Sequence, residues 1–134
     1  MKVTGGCHCG HVRYEARVDP ESARICHCNA CQRLTGTAYR VTVVARAEDV
    51  TMTAAPPARY VRHGDNGQAR IQLFCDRCGS PIATTGEGRD AGEWGLRWGS
   101  IDQRAEIAPR WRIWAAEAPA FALDLTGLPA RDGD

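Results

Sequence analysis

Cys26-His27-Cys28-Asn29-Ala30-Cys31, followed by Gln32-Arg33-Leu34-Thr35-Gly36-Thr37, packs three thiols into six residues. That is one ligand short of a closed tetrahedral metal site. Structural zinc takes four protein ligands, whereas a catalytic zinc takes three and keeps a position for water or substrate. The remaining four cysteines form two pairs, Cys7-His8-Cys9 and Cys75-Asp76-Arg77-Cys78. Two cysteines separated by two residues and followed by Gly79 can wrap a metal, with backbone N–H groups aimed at the sulfurs. In an extended segment residues i and i+2 face one way, so Cys7 and Cys9 can complete that half-site while His8 points away. The four-thiol site reads as structural.

Cys26, Cys28 and Cys31 can reach a second ion, with His27 turned outward by the same alternation. The spacing leaves other readings open. His11 or His63 could close the second site, an iron–sulfur cluster could occupy it, and Cys26 and Cys28 could instead partner Cys75 and Cys78. Without metal, Cys26 and Cys28 could act as a redox pair. An open zinc with three thiolates carries a formal charge of about −1 and is a weak Lewis acid, suited to holding a thiolate. An incoming thiolate needs cations or N–H donors nearby, and Arg33 is the nearest candidate in sequence.

Around these clusters the pattern is of short strands between Gly and Pro signals. His11 to Val18 alternates with period two, and Asp19-Pro20-Glu21-Ser22 reads as a turn. Asn29 is the expected N-cap, and Gly36 the stop, of a short helix from Ala30 to Thr35. Tyr39 to Ala45 is the clearest strand and Val50 to Thr53 a weaker, separate one. Gly64-Asp65-Asn66-Gly67 joins Arg59–Arg62 to Ala69–Phe74 as a hairpin. Ser80 to Ala83 is a short strand, Gly86 to Gly92 a polar loop, and Trp94–Ser100 and Arg112–Ala115 carry late aromatic mass. The expected fold is a small, mainly antiparallel β domain over residues 1–127, with a frayed tail from Leu128 to Asp134.

The totals exclude several classes. With 134 residues, 43% hydrophobic and 25% charged, the chain has the composition of a soluble globular domain. A net charge of +1 makes no electrostatic case for nucleic acid or an anionic membrane. No apolar run approaches the roughly 20 residues of a membrane span, and Met1 to Gly6 lacks a signal-peptide core. That implies the cytoplasm, where thiols stay reduced. Seven cysteines are an odd number, so a complete disulfide framework within the chain is ruled out. Lys2 is the only lysine, and arginine's planar fork suits carboxylate clamps.

Gly6-Cys7-His8-Cys9-Gly10 with Val12-Arg13-Tyr14, the three-cysteine stretch with Gln32-Arg33 and Thr35-Gly36, and Phe74 to Ile82 together resemble the glutathione-dependent formaldehyde-activating enzyme family. Arg112-Ile113-Trp114 and Ala118-Pro119-Ala120-Phe121 resemble its C-terminal signature. The family includes a branch resembling centromere protein V. The resemblance implies a β-tent fold, a structural zinc on Cys7, Cys9, Cys75 and Cys78, and a catalytic zinc on Cys26, Cys28 and Cys31. It also implies a carbon–sulfur lyase of formaldehyde detoxification, interconverting glutathione plus formaldehyde with S-hydroxymethylglutathione. Arg33, Arg40 and Arg62 are the nominees for holding the tripeptide carboxylates. Arg112, where relatives often carry histidine, and Ala120-Phe121, in place of a frequent Pro-Trp, are departures that bear on substrate. The competing reading is a non-catalytic zinc-stabilised binding module. Exposed strand edges permit a dimer without specifying one.

Overall fold

Alternating apolar residues on most strands demand a single buried sheet face. The computed structural model describes residues 1–133 and supplies that face; Asp134, the last residue of the expected tail, lies outside the described residues. Strands β1 (Lys2–Gly6), β2 (Arg13–Cys26), β3 (Arg40–Met52), β4 (Ala58–His63), β5 (Ala69–Phe74), β6 (Pro81–Thr85) and β7 (Glu93–Arg97) form one sheet in the order β1-β2-β3-β7-β6-β5-β4. All these pairings are antiparallel. The fold is therefore mainly β, with one short helix, α1 (Asn29–Thr35), and several 3₁₀ turns.

The sheet is not purely antiparallel. A late strand, β8 (Trp111–Ile113), runs parallel to β2 opposite Arg24–Cys26. β1 pairs only with residues 13–17 of β2, so the far half of β2 would otherwise expose an unpaired edge.

Two expected breaks are absorbed inside long strands. Asp19-Pro20-Glu21-Ser22 does not end β2. Between Asp19 and Arg24 that strand gains residues that β3 lacks, and the Ser22 hydroxyl accepts a 2.8 Å bond from Val44 N–H in place of a ladder carbonyl. The turn chemistry is present, but it makes a bulge. Residues 46–49 bulge out of β3 in the same way, so Val50–Met52 continues that strand rather than starting another. Arg46 bonds Glu48 and Asp49 across this second bulge. The Gly64–Gly67 hairpin forms as expected, with His63 opposite Ala69 and Gly67 at φ 78°.

Val43, Ala45, Leu73, Ala83 and Leu96 occupy the buried face, joined by Val3, Val12, Tyr14, Ile82, Ile101 and Ile107. Tyr14 is buried with its hydroxyl 2.8 Å from Ser100 Oγ. The 100–102 segment covers the outer edge of β1 through Asp102 N–H to Thr4 O and a bridge between Gly5 and Ile101. A side chain at position 5 would collide with the Ser100 carbonyl and the Tyr14 ring. Gly5→Ala should therefore lower stability by about 1–3 kcal/mol, read as a reduced denaturation midpoint; an unchanged midpoint would show that this edge is not tightly closed.

Asp102 links the first two strands. Its carboxylate bonds Arg13 Nη2 at 2.6 Å and accepts from the Thr4 hydroxyl at 2.7 Å. The Arg13 hydrogen bond, then that of Thr4, holds its pKa below the ordinary carboxylate value. A depressed folded-state pKa means that this stabilisation is complete above the unfolded value, about 3.9, and is lost as pH falls through the folded one. Denaturant titrations from pH 6 down to about 2 should show wild type converging on Asp102→Asn below about pH 4. A constant gap across that range would contradict the assignment.

Candidate metal centre and cationic cleft

The β1–β2 turn and the β5–β6 turn meet at four thiols. Cys7, Cys9, Cys75 and Cys78 place all their sulfurs within 4.8 Å of one another. Cys7 and Cys75 are buried and Cys9 and Cys78 exposed. The Sγ–Sγ distances are 3.6 Å for Cys7–Cys9 and 3.8 Å for Cys9–Cys75. A tetrahedral ion about 2.3 Å from each sulfur needs sulfurs about 3.8 Å apart, so the cage fits a zinc-sized thiophilic ion.

The surrounding donors fit anions as well. Val12 N–H points at Cys7 Sγ at 3.2 Å, and the Ser80 hydroxyl lies 3.2 Å from Cys78 Sγ. The Ser80 side-chain and backbone bonds draw Cys78 down to about 5. Gly79, at φ 76°, closes the knuckle by donating to the Cys75 carbonyl at 2.8 Å, and Cys75 N–H returns a bond to Ser80 O. His8 is exposed, as alternation expects.

The second cluster forms where β2 ends and α1 begins. Cys26, Cys28 and Cys31 also place their sulfurs within 4.8 Å of one another, and no histidine or carboxylate among the described residues joins them. The helix cap is Cys28 rather than Asn29: its sulfur accepts from Cys31 N–H at 3.3 Å. Gly36, at φ 68°, ends the helix as expected. Glu117 ties this corner to the C-terminal segment, its carboxylate accepting from Asn29 N–H at 2.6 Å and its carbonyl from Gln32 Nε2 at 3.2 Å.

His27 turns away from the thiols but not out to solvent. It is 2% exposed and meets Tyr39 edge-on at 5.8 Å, and its backbone N–H donates to Ile113 O on β8. His11 lies 3.6 Å from Asp76, and His63 is exposed at the end of β4; neither joins the cluster.

Arg40 stands directly across the ladder from Cys26. The Cys31 thiol donates to Cys26 and draws it down to about 5 against the cost of burial, helped by Cys28 N–H and the Arg40 charge. Cys31 is pushed up by the same bond and by burial. The bond between the two sulfurs thus favours the thiolate at Cys26 over Cys31. The cation expected of Arg33 is supplied by Arg40. Arg33 itself is exposed on α1 and does not line the cleft.

The three thiols open into a cleft of about 590 Å³ whose walls carry Arg24, Arg40, Arg62, Arg70, Arg89 and Arg97 against Asp90 and Glu93. Strand register explains the concentration. Arg24 and Arg97 both pair with Thr42, Gly95 with Thr84, Thr84 with Gln72, and Arg70 with Arg62. These residues share the face opposite the apolar core. Arg97, 6% exposed, is bound by neutral partners only: Gln72 Oε1 at 2.9 Å, Gly95 O at 3.2 Å and the Thr84 hydroxyl. Burial and the Arg40 charge press its pKa down, while the nearby Cys31 and Cys26 sulfurs oppose that shift. Arg24, Arg70, Arg89 and Arg97 were missed in the sequence. The readable signal for Arg70 was its alternation with Gln72 between Ile71 and Leu73 on β5, and for Arg97 its place one residue after the apolar Leu96 on β7.

A larger cavity, about 930 Å³, lies against Ile25, Val41, Trp98 and Pro109 and meets the four-thiol cage only at Cys7. It contains none of the three-thiol cluster, so the chemistry favours the smaller cleft.

The family model of the glutathione-dependent formaldehyde-activating enzymes matches residues 2–117. The chain belongs to this family. Among solved structures, the glutathione-dependent formaldehyde-activating enzyme fold described here is similar to that of a Rhodobacter sphaeroides protein. That protein is 22% identical, with a TM-score of 0.61, and the match covers 81% of this chain and 98% of that one. None of the curated proteins matches the sequence. Two clusters able to hold metal thus sit in a chain of the formaldehyde-activating type. No helix among the described residues is long and apolar enough to cross a membrane, which leaves β-barrels unaddressed.

Proposed function

We propose that this chain adds glutathione, or a related thiol, to formaldehyde or a related small aldehyde at the three-cysteine cluster, with Cys26, Cys28 and Cys31 holding a catalytic zinc. One observation carries the reading: three converging thiols lack a fourth protein ligand and open into an arginine-walled cleft. Cys7, Cys9, Cys75 and Cys78 would hold a structural zinc. Both sites need reduced thiols, which fits the cytoplasm. Residues 1–127 would form one zinc-organised domain and 128 onward its tail.

Zinc on three thiolates would hold the substrate sulfur as a thiolate and would be a poor Lewis acid for the aldehyde. The protein's own part is to bind and orient. Arg40, whose Nε and Nη1 are buried without partners, and Arg24, held over the Trp111 ring at 5.5 Å, flank Cys26 and can take the tripeptide carboxylates. The new bond joins the glutathione sulfur to the formaldehyde carbon; the C=O π pair moves to oxygen, which takes a proton from water, and the thiol proton leaves to solvent. The reverse breaks the same C–S bond, as a carbon–sulfur lyase does. Among the described residues no imidazole or carboxylate joins the three sulfurs within 4.8 Å, so catalysis would rest on proximity and charge rather than on a general base beside the cluster. That same feature favours the second reading, a zinc-stabilised binding module.

Cys75→Ser should fail to fold or should aggregate, because structural zinc supplies roughly 10–16 kcal/mol of apparent binding energy in small domains. Cys31→Ser should stay folded with one metal equivalent fewer. Circular dichroism and metal analysis read both, and a soluble, fully folded Cys75→Ser protein would remove the structural role. Calorimetric titration of glutathione into zinc-loaded protein should give binding that Cys31→Ser abolishes. No binding to wild type would put the binding module first.

A further inference from the structure

The thiol reading leaves half of the cleft without a task. Arg62 on β4 and Arg70 on β5 are direct cross-strand partners, so their guanidinium groups project from adjacent positions of one face. Like charges directly opposed destabilise a sheet. Among the described residues neither arginine forms an ion pair within 4.0 Å, and Arg62 Nε is buried without a partner there. The described ion pairs of arginine use Arg13, Arg46 and Arg110, all outside this cleft. Six arginines against two carboxylates leave the cleft with a formal excess of four positive charges. A cluster of about −1 at the metal end offsets only part of that, as does glutathione with its two carboxylates and one ammonium.

Position separates the two ends. Cys26 lies on β2 and Arg62 on β4, five strand spacings apart in the sheet. At about 4.8 Å per spacing, the path along the wall is about 24 Å. Glutathione carries its sulfur on the central residue, so even along its longer γ-glutamyl arm a carboxylate lies at most about 11 Å from that sulfur. Two opposed forks match one tetrahedral dianion, which can take two N–H bonds from each, better than a carboxylate that saturates a single fork.

We propose that Arg62 and Arg70 form a phosphate subsite, so that the cleft takes an elongated thiol bearing a phosphate monoester at the end remote from its sulfur. The proposal rests on the reading that a thiol docks at Cys26, Cys28 and Cys31. Glutathione would fill the metal end and leave this subsite empty.

The test is calorimetric titration of zinc-loaded protein with 4′-phosphopantetheine, with pantetheine, which lacks only the phosphate, and with inorganic phosphate. Wild type, Arg62→Gln/Arg70→Gln and Cys31→Ser are compared. Wild type should bind the phosphorylated thiol about tenfold or more tightly than pantetheine. The ratio should fall to about one in the double glutamine variant. That variant should also melt at or above the wild-type temperature, since it removes an opposed like-charge pair; a structural role for the arginines would lower it. Equal binding of the two thiols to wild type, or a ratio that survives in the double variant, overturns the subsite. Inorganic phosphate that binds wild type and Cys31→Ser but not the double variant, with no thiol bound anywhere, would uphold the anion site and remove the thiol reading instead.

Discussion

Strands β2 to β7 can turn only one face toward the core. Once Val43, Leu73, Ala83 and Leu96 occupy the buried face, period-two geometry sends their neighbours to the other side. Those neighbours are Thr42, Gln72, Thr84 and Arg97, with Arg40 and Arg70 along the same rows. The polar wall of the cleft is thus the obligatory reverse of the hydrophobic core. Hydrogen bonds among Arg97, Thr84 and Gln72 hold the centre of that wall without a carboxylate, while Thr42 Oγ1, Gln72 Nε2 and nitrogens of Arg40 and Arg62 stay without partners among the described residues, so the charge it carries remains available to a ligand.

The two thiol clusters stand in different relations to this sheet. The four-thiol cage joins two turns distant in sequence, with Cys7 and Cys75 buried and donors of the Val12 and Ser80 type already aimed at sulfur. Its geometry is closed. The three-thiol cluster sits where β2 passes into α1, facing the arginine wall, with Glu117 and β8 bracing the corner from outside. Its geometry leaves one side to the cleft. A closed cage suits stability and an open triad suits exchange, which is why two clusters built from one residue type invite different roles.

The bulges have a positional consequence. Without the extra residues between Asp19 and Arg24, the end of β2 would meet β3 in a different register, and Cys26 would not lie opposite Arg40. A local Asp-Pro-Glu-Ser turn therefore sets which cation faces the thiolate. Its effect on the site is large for so small an irregularity.

The spacing of the seven cysteines, the hairpin at Gly64–Gly67, the helix stop at Gly36 and the mainly β class were legible from the chain alone, because each rests on short-range geometry. The family, too, was carried by local motifs. What the chain could not reveal was which strands lie side by side. The parallel docking of β8, the fusion of Val50–Met52 into β3 and the burial of His27 beneath Tyr39 all depend on contacts remote in sequence. So does the cleft. Arginines scattered from position 24 to position 97 carry no common local signature, and Arg33, the nearest in sequence, points to solvent while Arg40 faces Cys26. Local chemistry chose the ligands; cross-strand register, set by the burial of one sheet face, chose the charges around them.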